Sequence, residues 1–118
     1  MFELKVESSF SSAHHLLNYE GDCENQHGHN WKVEAYVQGN NLDNSNLLID
    51  FKVLKKELKK VMDLLDHKDL NELEQFKNQS PSSEFISRFI YQELKKQVPQ
   101  VSKVSVWETV TSCASYFE

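Results

Sequence analysis

The sequence predicts an α+β domain in which a four-stranded antiparallel sheet carries two helices on one face, in the order β-β-α-α-β-β. Three observations carry that expectation. Apolar residues recur at every second position near both ends of the chain, the mark of half-buried strands. In the middle they recur at three- and four-residue spacing, the mark of amphipathic helices. Strands adjacent in sequence favour antiparallel neighbours, and two consecutive helices then cover a single face.

"FELKVESSF" (residues 2–10) sets Phe2, Leu4 and Val6 against Glu3, Lys5 and Glu7 and predicts the first strand. "WKVEAYVQG" (31–39) predicts the second, with Trp31, Val33, Ala35 and Val37 on one side and Lys32, Glu34, Tyr36 and Gln38 on the other. The polar run "NNLDNSN" then supplies turn residues. From Asp50, placed to cap, the spacing of Phe51, Leu54, Leu58, Val61, Met62 and Leu65 predicts a helix of about four turns anchored by Phe51. A second helix is expected from "SPSSE", with Ser80 as cap and Pro81 at the first helical position. It should bury Phe85, Ile86, Phe89, Ile90 and Leu94 and stop at Pro99. Val101, Val104 and Val106 lead into "WETVTSCASYFE", which reads as two strands with a tight connection. Trp31 and Trp107 read as packing residues and Cys113 as a small core residue. Without repeats, low-complexity segments or linkers, residues 1–118 are expected to form one domain. Four strands leave two sheet edges, which association between copies would cover.

Composition narrows the partners. A chain of 118 residues with 39% hydrophobic and 26% charged residues reads as soluble and globular. A net charge of -5 argues against nucleic acid or an acidic membrane surface as partner. Arg88 is the only arginine, and the lysines of "KKELKK" read as a solvated helix face. The start, "MFELKVESSF", shows no secretory signal, and no apolar run approaches bilayer length. A cytoplasmic protein with reduced Cys23 and Cys113 is the expectation.

The chemistry-bearing stretch is "CENQHGHNW" (23–31). On an extended segment residues i and i+2 share a side, so His27 and His29 present two imidazoles together, with Gly28 leaving the other face clear. A catalytic zinc typically takes three protein ligands and keeps a fourth position open. The third ligand should come from the end of the paired first strand, where His14 and His15 sit; they face opposite ways, and spacing alone does not choose between them. Cys23 sets the alternatives. As a fourth ligand it would close a purely structural zinc; as an unbound thiolate it would be a base beside the metal.

Taken in order, "FSSAHHL" (10–16), "CENQHGHNW", "IDFKVLK" (49–55), "LDHKDLN" (65–71), "SPSSEF" (80–85) and "WET" (107–109) resemble the 6-pyruvoyl-tetrahydropterin synthase superfamily along nearly the whole chain. The three residues between Cys23 and His27 make the sequence most similar to the bacterial branch, the 6-carboxy-5,6,7,8-tetrahydropterin synthases of queuosine biosynthesis. The resemblance implies zinc held by His14, His27 and His29. It implies Cys23 as catalytic base and not as ligand, Asp66 and His67 as a second proton-transfer pair, and Glu108 as the residue that anchors the pterin. The implied fold is the tunnelling fold, assembled as a trimer-based homo-oligomer, a hexamer, with active sites between subunits. The implied substrate is 7,8-dihydroneopterin triphosphate, whose side-chain hydroxyls zinc would polarise, and the implied products are 6-carboxytetrahydropterin, acetaldehyde and triphosphate. Two other outcomes within the family are 6-pyruvoyl-tetrahydropterin and, with Glu24 as alternative base, 6-hydroxymethyl-dihydropterin for folate synthesis. Lys55, Lys68 and Arg88 are candidates for the triphosphate by charge alone.

Overall fold

The computed structural model describes residues 1–18 and 25–118. Within them the element order is the expected one: β1 (Phe2–His14), β2 (His27–Gly39), α1 (Phe51–Leu65), α2 (Ser83–Lys95), β3 (Val101–Thr109) and β4 (Ser112–Phe117). The sheet runs β1-β2-β3-β4 with every neighbouring pair antiparallel. Both helices lie on one face, α1 against β1 and α2 against β3 and β4.

The alternation sorts side chains as expected. Val6 and Phe10 on β1 and Trp31, Val33, Ala35 and Val37 on β2 turn inward, where the Phe10 and Trp31 rings stack at 5.7 Å. Leu54, Leu58, Val61, Met62 and Leu65 of α1 and Ile86, Ile90, Tyr91 and Leu94 of α2 close over them. Leu58 is fully buried, so Leu58→Ala should cost about 2–5 kcal/mol through lost contacts and the cavity left behind. Urea unfolding followed by circular dichroism measures it.

Four details depart from expectation. β1 runs on to His14 because every residue from Phe2 onward has a partner on β2, ending in the pair His14↔His27. Asp50 does cap α1, accepting from the Lys52 amide, but Phe51 is 51% exposed and lies outside the buried core. The cap of α2 is Ser82, not Ser80, and accepts from the Phe85 amide. Ser80 is engaged elsewhere, its hydroxyl accepting from the Leu17 amide and donating to the Leu17 carbonyl, and this holds residues 80 and 81 off the helix. Cys113 is exposed: it pairs with Trp107 on the face away from the helices.

That second face is polar, and among the described residues it buries the charge of Glu34. Glu34 accepts from Lys5 Nζ and from the Trp107 indole N–H, so its carboxylate is satisfied despite its burial. Between the helices, two short 3-10 turns, Leu70–Glu72 and Glu74–Phe76, insert Leu70 and Phe76 into the core.

Candidate metal centre

The inward stripe of the sheet changes character at one end. On β1 the sequence Phe10, Ser12, His14 continues the buried side; on β2 their partners are Trp31, His29 and His27. On β3 the inward residues Val104 and Val106 are followed by Glu108. Residues directly opposite in an antiparallel pair share a face, so three imidazoles and one carboxylate end up over the same patch. Trp31 floors it, its ring centroid 4.9 Å from that of His14 and 5.3 Å from that of His29. The donor atoms of His14, His27, His29 and Glu108 all lie within 4.8 Å of one another.

Two of the imidazoles are held in one tautomer. Nδ1 of His14 lies 2.7 Å from the Pro81 carbonyl, and Nδ1 of His27 lies 2.7 Å from the Asn25 carbonyl. A carbonyl only accepts, so both Nδ1 atoms carry the proton, and in the neutral rings both Nε2 atoms present lone pairs. Those lone pairs face each other at 3.1 Å. The third, Nε2 of His29, is buried without a hydrogen-bond partner, although Glu108 Oε1 comes within 3.0 Å; the two are close but not aligned to share a proton. Converging lone pairs with no hydrogen between them repel. A cation at their centre removes the conflict, and pinned outer nitrogens are how proteins orient metal-binding imidazoles. The residues therefore fit a divalent metal.

"SPSSEF", expected as a helix start and as one of the family-like motifs, braces this centre. Pro81 orients His14, Ser80 ties down the chain after β1, Ser82 caps α2, and Ser83 donates to Glu108 Oε2 at 3.2 Å. An open cleft lined by Ser83, Glu108, Thr109, Ser112 and Cys113 adjoins the carboxylate.

Asp66 and His67 are not part of the group of four. They sit off the outer edge of β1, where Asp66 accepts from the Ser11 amide at 2.8 Å and His67 donates its amide to the Ser11 carbonyl at 2.6 Å. Their side chains pair, His67 Nδ1 to Asp66 Oδ2 at 3.0 Å. The amide hydrogen bond from Ser11, followed by the His67 contact, holds the Asp66 carboxyl below its ordinary range. The imidazole of His67 is 83% exposed on a residue with positive φ. His15 turns away from the centre and bonds Gln26. Lys55, Lys68 and Arg88 are all exposed. Cys23 and Glu24 lie outside the described residues.

Burial pushes His14 and His29 below the ordinary imidazole value. In the metal-free protein these groups resist a proton that the unfolded chain accepts, so the unfolded state binds more protons below its value of 6.5. Stability should therefore be complete above that pH and decline as the pH falls through and below it. Urea midpoints of the metal-free protein between about pH 7 and about pH 5 check this; a flat profile would contradict it.

Residues 3–118 match the family described as 6-pyruvoyl tetrahydropterin synthase. The chain belongs to the 6-pyruvoyl tetrahydropterin synthase family. Among curated members, the 6-carboxy-5,6,7,8-tetrahydropterin synthase of Synechocystis sp. is 37% identical over 99% of this chain and 94% of its own length. The protein of the same name from Haemophilus influenzae is 32% identical, with both chains fully covered. The solved 6-pyruvoyl tetrahydropterin synthase of Caenorhabditis elegans superimposes with a TM-score of 0.90 at 28% identity, covering 99% of this chain and 95% of that one. The tunnelling fold implied by the sequence motifs is the fold found, and the family is one of pterin synthases.

Proposed function

We propose that the protein, with residues 1–118 acting as one domain, is a zinc-dependent lyase of queuosine biosynthesis. It converts 7,8-dihydroneopterin triphosphate to 6-carboxy-5,6,7,8-tetrahydropterin and releases acetaldehyde and triphosphate. The observation that carries the reading is the convergence of three imidazoles with two outer nitrogens pinned to carbonyls. Relatives named 6-carboxy-5,6,7,8-tetrahydropterin synthase, 32% and 37% identical over nearly the whole chain, support the choice of reaction.

His14, His27 and His29 hold the metal in this reading, and Glu108, at the rim of its cleft, accepts from the amino and ring N–H groups of the pterin. Bound zinc supplies a Lewis acid that polarises the side-chain hydroxyls of the substrate. Cys23 removes a proton as thiolate, and His67, oriented by Asp66, carries another. In the single chain His67 points to solvent, which suits a site completed by a neighbouring copy. The edge of β4, with Phe117 at 66% exposure, and the edge of β1 before Ser11 suit the same cytoplasmic, trimer-based assembly. No helix of the described residues is long and apolar enough to cross a membrane.

Incubation of the zinc-loaded protein with 7,8-dihydroneopterin triphosphate, followed by mass spectrometry, tests the reading. A carboxylated tetrahydropterin with acetaldehyde supports it. A hydroxymethyl pterin whose formation is lost in Glu24→Gln, or a pyruvoyl pterin, would replace it.

A further inference from the structure

A metal held by three imidazoles needs its fourth position free to take a ligand oxygen, and in this chain a carboxylate stands there. We propose that Glu108 Oε1 is the fourth ligand of the resting metal, closing the centre until an incoming oxygen displaces it. The inference rests on the metal reading above and deepens it.

Four donors about 2.0–2.1 Å from a tetrahedral centre lie about 3.3–3.4 Å from one another. The contacts here straddle that value: His29 to Glu108 at 3.0 Å, His14 to His27 at 3.1 Å, His14 to Glu108 at 3.7 Å and His27 to Glu108 at 3.9 Å. Between neutral rings no hydrogen bond accounts for the approach. His14 and His27 spend their protons on Pro81 and Asn25, and His29 Nε2 is not aligned with the carboxylate. Nor is Glu108 a surface acid that has drifted inward. It occupies the next inward position after Val104 and Val106, and Ser83 holds Oε2 from the far side, which leaves Oε1 toward the histidines. A carboxylate in that position adds a negative charge to a neutral ligand set. It tightens the resting metal and shields it from other anions.

The test uses the full chain loaded with cobalt(II), whose visible bands report its ligands. Three proteins are compared: wild type, Glu108→Gln, and Glu7→Gln, which removes an exposed carboxylate on a different strand, β1. Competition with a chromogenic chelator should show Glu108→Gln binding cobalt about tenfold or more weakly. Azide should shift its bands at concentrations that leave the wild type unchanged, and Glu7→Gln should match the wild type. Ready azide binding by the wild type, or equal cobalt affinity in Glu108→Gln, overturns the proposal while leaving the metal reading intact. Failure of the wild type to take up one cobalt per chain removes both.

Discussion

His27→Ala is expected to strip the protein of its metal and of its turnover together. His27 is the imidazole whose lone pair opposes that of His14 at 3.1 Å, and its own outer nitrogen is fixed by the Asn25 carbonyl. Loss of outer-shell partners alone typically lowers metal affinity by about 10–100-fold, so loss of a ligand should exceed about a hundredfold. The fold should survive, because the side chain is 29% exposed at the first residue of β2 and lies outside the apolar core. Elemental analysis of the purified variant, beside circular dichroism, reads the two effects separately. A variant that kept one zinc per chain would show that the histidines gather for another reason.

Cys23→Ala is expected to do the opposite: keep the metal and lose turnover by a factor of about 10²–10⁴, the range for a positioned proton-transfer group. His14, His27, His29 and Glu108 bring four donor atoms within 4.8 Å of one another, enough for a tetrahedral metal without sulfur. Once Glu108 gives way, three neutral imidazoles would also leave zinc more of its double charge than a set containing a thiolate, which favours polarising a hydroxyl. Single-turnover assays together with zinc content separate the outcomes. Loss of zinc with this one substitution would mark a closed structural site of one cysteine and three histidines.

Much of this architecture was legible because strand and helix periods are written directly into the apolar positions. The β2 alternation placed Trp31, Val33, Ala35 and Val37 inside, and the α1 spacing named each of its buried residues. What the periods could not show is where a polar residue continues an inward stripe. Glu108 follows Val104 and Val106 in step, and that position was the one signal that it joins the histidines. Ser80 and Ser82 are equivalent as caps by residue type; only the tie from Ser80 to Leu17, remote in sequence, decides that Ser82 caps. Helical spacing places Phe51 inward and residue type places Cys113 inward, yet each lies at the end or on the outer side of its element. Spacing alone does not separate His14 from His15; the resemblance points to His14, and the pairing to His27 fixes which side of β1 faces the core.

X-ray absorption at the zinc edge of the resting enzyme tests the central claim most directly. The account predicts a first shell of nitrogen and oxygen alone at about 2.0–2.1 Å, with the outer-ring scattering of three imidazoles. A sulfur shell at about 2.3 Å would contradict it.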